Sequence, residues 1–176
     1  MNMAYYVLVF DQAWEVALEK FKMGGTAAKD LNRSTMVVET NTKYLNEVKE
    51  GEMVNVNLTY FDHDKKRLHL KMEMISQKTN KLSASMEWIS LYIDLSKRKV
   101  TEFEEEKVKL MRDFIEQNKS KFSNKGLLFT SKFDVTKQQN CSNKIPSKKY
   151  FIQSCFFKNK FNQRVLHCKQ SHCCNN

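Results

Sequence analysis

Apolar residues recur at three- and four-residue steps from Asn2 to Phe21: Tyr6, Phe10, Ala13, Trp14, Ala17, Leu18 and Phe21. That period predicts one long helix with a single core-facing side. Val7 and Val9 widen the apolar arc, which predicts deep burial. Met23-Gly24-Gly25 should stop the helix, because glycine reaches the left-handed conformation of many helix ends. Thr26 to Arg33 is polar and reads as a connector. The period then changes from 3.6 to two. Thr35 to Tyr44 places Met36, Val38, Thr40, Thr42 and Tyr44 on one face. Met53 to Tyr60 turns Val54, Val56, Leu58 and Tyr60 inward. Arg67 to Ser76 sets Leu68, Leu70, Met72 and Met74 against His69, Lys71 and Glu73 on a wet face. Leu82 to Ile93 begins by alternating and ends apolar on both faces through Ile89, Leu91 and Ile93. Its second half should therefore be covered on both sides, by the helix and by something else or a second subunit. Thr101 and Glu104 have capping-box spacing and open a second helix, whose stripe is Val108, Met111, Phe114 and Ile115.

Polar turns at 49–52, 62–66 and 78–80 join the four strands. Connections this short force antiparallel neighbours. A sheet with one alternating face needs a cover, and the first helix supplies it. The class is α+β, an antiparallel sheet wrapped on a long helix.

Charge divides the chain. Lys and Arg number 19 through Ser120 and 11 after it; acids number 19 before that point and one, Asp134, after it. The net charge of +10 thus lies in the last third, with all five cysteines and the single proline. This break predicts a folded domain over 1–120 and a basic, irregular, poorly ordered Lys/Asn/Cys-containing tail over 121–176. The neutral body argues against nucleic acid as the partner. His167-Cys168 and His172-Cys173-Cys174 match no standard zinc spacing, so no metal is assigned. No stretch reaches the roughly 20 apolar residues of a membrane span, and Ala4 to Phe10 lacks the basic leader of a signal peptide. A cytoplasmic location follows as the expectation.

Four blocks carry a resemblance: Met1 to Asp11, Tyr44-Leu45-Asn46-Glu47-Val48-Lys49-Glu50-Gly51, Phe61 to Leu70, and Met86 to Asp94. In order and spacing, over Met1 to Lys119, they resemble hot-dog-fold acyl-CoA thioesterases. The branch is that of 4-hydroxybenzoyl-CoA thioesterase, and within it the betainyl-CoA thioesterase type. The resemblance implies hydrolysis of a short or polar acyl-CoA to acid and free coenzyme A. It also implies a homodimer or dimer of dimers, and no cofactor beyond the acyl-CoA substrate. The thioester would face the N-terminus of the first helix, where free N–H groups stabilise a developing oxyanion. Relatives carry an Asp-x-x-Gly-His-x-Asn-like motif there. Only its end stands in this sequence, as Met1-Asn2, and Asn41 stands where many relatives have histidine. The sequence thus reads as a truncated hot-dog domain whose first strand and catalytic carboxylate would lie upstream. That predicts weak or no turnover, with a non-catalytic acyl-CoA-binding or dimerisation module as the alternative.

The substrate-side candidates are Asn2, also a plain N-cap, with Tyr5, Tyr6 and Tyr44 as lining of an acyl pocket. Lys65, Lys66 and Arg67 are the candidates for the phosphates of coenzyme A, against the plainer reading of a solvated turn. His63 and His69 read as solvated histidines, and Asp11 and Glu15 as the polar face of the helix. The catalytic residue is left unassigned.

Overall fold

A computed structural model describes residues 1–130, with the backbone of two further strands, 153–158 and 164–169. The chain divides into two units, Met1–Asn140 and Cys141–Asn176. In the first, the elements are α1 (Met3–Lys20), α2 (Gly25–Asp30), β1 (Arg33–Tyr44), β2 (Val54–His63), β3 (Arg67–Ser76), β4 (Leu82–Asp94), β5 (Lys99–Val100) and α3 (Glu105–Asn118), ending in a 3₁₀ turn at Lys119–Lys121. The second unit contains the antiparallel pair β6 (Gln153–Lys158) and β7 (Arg164–Lys169), in register from Gln153 opposite Lys169 to Lys158 opposite Arg164. His172, Cys173 and Cys174 lie outside the described residues.

The four long strands form one antiparallel sheet in the order β1-β4-β3-β2, and β5 adds to the end of β4. Tyr6, Phe10, Trp14 and Leu18 of α1 are buried, four positions apart as the helical period requires. They meet Leu68, Leu70, Met72, Met74, Ala84, Met86, Trp88 and Tyr92 from the two central strands in one core. Rings at the centre include the edge-on pair Trp14–Trp88 at 6.0 Å and the stacked pair Phe21–Phe61 at 5.1 Å. Each large side chain fully buried here is worth about 1.5–3 kcal/mol.

Five local expectations are corrected. The flank of α1 stays wet: Val7 is 39 % exposed and Val9 only half-buried, because the sheet covers one side of the helix. Lys22, not a glycine, takes the left-handed position after α1, at φ 57°. The Met23 N–H donates to the Leu18 carbonyl and the Lys22 N–H to that of Glu19, while Met23 and Leu18 are both buried, so hydrophobic contact fixes the stop. Gly24 then caps α2, the short helix that replaces the polar connector. A bulge between Leu58 and Tyr60 turns Tyr60 to the outer face, against His69, and Phe61 inward. α3 begins at Glu105, four residues after Thr101, and its N-cap Glu104 is extended and makes no side-chain cap.

Candidate functional site

Asn2 occupies the N-cap of α1 in extended conformation, and its Oδ1 accepts the Ala4 N–H at 3.1 Å. The side chain satisfies one of the orphan donors of the first turn and leaves the Met3 N–H without an acceptor among the described residues. One turn later, Tyr6 ties the helix to the loop after β1. Its hydroxyl donates to the Asn46 carbonyl at 3.3 Å and accepts the Val48 N–H at 3.1 Å. The Asn46 amide in turn donates to the Leu82 carbonyl at 2.7 Å, and the Leu45 and Asn46 N–H groups to that of Ser83. Tyr44 meets Tyr6 edge-on at 5.2 Å. Between the helix start and this loop opens a groove of about 340 Å³ lined by Met1, Met3, Tyr6, Tyr44, Leu45, Asn46 and Glu47.

The geometry sorts the candidates. Tyr6 and Tyr44 meet in one groove at the helix start, beside the Asn2 cap. Tyr5 is 59 % exposed and does not line it. Glu47, which residue type alone did not single out, is the one carboxylate in the lining among the described residues.

Lys65, Lys66 and Arg67 lie at the opposite end of the sheet. Arg67 pairs across the ladder with Leu91, whereas the groove sits beside Leu82, opposite Ile75. Along a strand that separation is about 25–30 Å. Arg67 is paired to Asp64 at 2.6 Å and Lys66 to Glu102 at 3.5 Å. The hairpin also holds the approach to α3, since the Phe103 N–H donates to the Lys65 carbonyl and the Tyr92 N–H to that of Lys66.

Asp11 and Glu15 are exposed by surface area, yet the protein around them strips enough water to raise both carboxyls above their ordinary values. For Glu15, loss of hydration is followed by repulsion from Asp11 and Glu19, against a lowering bond from the Gly25 N–H. They form a strip of charge on the open flank of α1, apart from the groove lining.

His63 is half-buried against Phe103, and its Nδ1 lies 3.1 Å from the Asp64 carbonyl. His69 overturns the solvated reading: it is fully buried, with Nε2 2.9 Å from Glu87 Oε1. Glu87 also accepts the backbone N–H groups of Leu128 and Phe129. Around His69 and Glu87 the outer face of the sheet is dry, because chain beyond α3 returns to cover it there, while Asn55 and Asn57 of the same face stay exposed. Among the described residues no cluster of three His, Cys, Asp or Glu side chains is placed to hold a metal ion.

A curved antiparallel sheet on one long helix, with a groove at the helix start, defines a hot-dog fold. A Staphylococcus aureus protein solved in complex with CoA has this fold: 20 % identity over 83 % of this chain and 84 % of that one, TM-score 0.62. A 1,4-dihydroxy-2-naphthoyl-CoA thioesterase from Synechocystis shares it at 16 % identity, over 64 % of this chain and 83 % of that one, TM-score 0.57. The chain belongs to the thioesterase-like superfamily, whose family model matches residues 1–115. It is 28 % identical over 103 residues to the betainyl-CoA thioesterase of Pseudomonas aeruginosa, a match over 58 % of this chain that spans 65 % of that protein's length.

Proposed function

We propose that this chain binds an acyl-CoA at the α1 groove and hydrolyses its thioester to acid and free coenzyme A, acting on a short or polar acyl group. The observation that carries this reading is the capped helix start opening on the Tyr6–Tyr44 groove, in a member of the thioesterase-like superfamily. Hydrolysis places negative charge on the carbonyl oxygen. The Met3 N–H and the positive end of the α1 dipole face that charge. Glu47 is the candidate to activate water, as the groove's carboxylate. The working unit is a homodimer in the cytoplasm. β1 supports it: this twelve-residue strand carries no further strand on its outer side among the described residues and exposes Val37 and Val38 by about half, an edge that a second copy can pair with. Among the described residues, no helix is long and apolar enough to cross a membrane.

Thiol release from a panel of acyl-CoAs, read with calorimetry on a non-hydrolysable analogue, tests the reading. Weak turnover is expected from the wild-type chain, falling by on the order of 10²-fold in Glu47→Gln with affinity for the analogue retained. Turnover unchanged by that substitution removes Glu47 from the reaction. Binding without turnover establishes instead a non-catalytic acyl-CoA module, and neither binding nor turnover ends both readings.

A further inference from the structure

Among the described residues the sheet has two edges, and the chain treats them differently. β1 carries no further strand among the described residues. At β2 the chain folds back over the edge. It leaves α3 on the helix-covered side, where Phe114 packs on Phe21 at 5.3 Å and on Phe61 at 5.9 Å. Phe122 continues that stack against Phe114 at 6.1 Å. The Ser123 N–H then donates to the Thr59 carbonyl at 3.0 Å. Thr59 sits in the β2 bulge, where the ladder with β3 skips a residue. After a left-handed turn at Gly126, φ 70°, the segment reaches the other face of the sheet. There both oxygens of Glu87 accept the Leu128 N–H, at 3.0 and 2.9 Å, and Oε1 also accepts the Phe129 N–H at 2.9 Å. Phe129 is 6 % exposed beside His69.

We propose that residues 122–129 are a clip that closes the β2 edge, keyed by the buried Glu87 carboxylate, and that the clip limits edge-to-edge assembly to β1. A sheet with two open edges can pair β1 of one copy with β2 of the next, a head-to-tail contact that need not close. With β2 closed, β1 against β1 remains, and that isologous contact stops at two copies. Glu87 suits the role of key. A carboxylate 4 % exposed needs strong donors, and backbone N–H groups supply charge-assisted bonds whose geometry only the docked segment provides. The proposal rests on the β1 pairing described above only for the size of the assembly in the wild-type chain.

The test compares the full wild-type chain with Glu87→Gln/Phe129→Ala by sedimentation over a concentration series and by amide hydrogen exchange. In the variant, the amides of Leu128, Phe129 and β2 should exchange at least about tenfold faster, and mass should climb above the wild-type value with concentration. Unchanged protection at Leu128 and Phe129 would overturn the keying role of Glu87. Released amides with the wild-type mass distribution would overturn the role in assembly. If the double variant does not fold, Ser123→Pro serves: at an exposed site, after a residue already extended at φ −85°, ψ 135°, it deletes the N–H given to Thr59, together with the exposed hydroxyl that accepts the Lys125 N–H. Mass above wild type supports the clip there, and equal mass overturns it. A monomeric wild-type chain ends the β1 reading alone, because the comparison with the variant still reports on β2.

Discussion

Tyr6 shows how much one hydroxyl organises. Its ring belongs to the core face of α1, while its oxygen is donor to Asn46 and acceptor for Val48. It holds one wall of the groove to the other. Tyr6→Phe keeps the ring and its edge-on contact with Tyr44 but leaves the Val48 N–H buried without an acceptor. The expected loss is about 2 kcal/mol of folding stability by urea denaturation, within the usual range for orphaning a buried donor. A loss near zero would show that the loop holds its position without this tie. The sequence marked Tyr6 through helical period and resemblance, but the partners of its hydroxyl are 40 and 42 residues away and no local pattern encodes them. Asn2 was readable for the opposite reason, because an N-cap acts on a backbone group two residues on. His69 was misread because alternation gives the face of a strand, not what covers that face. Its cover, Phe129, comes from a segment with no clean period.

Elements were legible wherever a period ran uninterrupted. β3 has the bounds its alternation predicts, and α1 differs from its apolar run by one residue at each end. Bulges broke the rule elsewhere. The register shifts between Val37 and Glu39 and between Leu58 and Tyr60 each flip the residues beyond them, and polar/apolar pattern cannot locate a single inserted residue. The start of α3 was misplaced because Glu104 serves another purpose than a capping box. Its carboxylate accepts the Tyr92 hydroxyl at 2.8 Å and Lys107 at 2.9 Å, and Arg33 of β1 approaches at 3.4 Å. Burial alone would raise the Glu104 carboxyl, but the bonds from Lys107 and Tyr92 outweigh it and hold it below its ordinary value. The folded chain therefore binds this proton less tightly than the unfolded chain. The contribution is present above the ordinary glutamate range, near pH 4.3, and is lost as pH falls through the depressed folded value. Glu104→Gln should melt below wild type at pH 7. The side chain is 44 % exposed and solvent-screened, so the difference should be no more than about 1 kcal/mol. The gap should narrow as pH falls below about 4. Equal melting at pH 7, or a gap that widens on acidification, would show that the carboxylate does not anchor α3 to the sheet.

At the scale of the whole molecule, the groove and the basic hairpin stand at opposite ends of one sheet. The N-terminus of α1 is tied to the loop after β1 near Leu82, while its C-terminal end meets α3 through the Lys22–Glu106 ion pair and the Phe21–Phe114 contact. Lys65 and Lys66 lie with α3, so they serve a ligand seated in the groove only if a second copy brings them to it. Contact in trans is thus the form in which the phosphate role proposed for the hairpin survives, and it ties that role to the proposed dimer. Lys65→Glu/Lys66→Glu should weaken coenzyme A binding by about tenfold at protein concentrations where the chain is dimeric. The effect should shrink as salt rises, since exposed charges separated by more than about 8–10 Å are screened near physiological ionic strength. Below the dimer dissociation constant, wild type and variant should bind equally weakly. Calorimetry at two protein concentrations separates the outcomes. A variant that binds like wild type in the dimer removes the hairpin from the site and leaves Lys66 to its contact with Glu102. A variant weakened equally in the monomer would require a ligand path within one chain, against the register that places Arg67 opposite Leu91 and the groove beside Leu82.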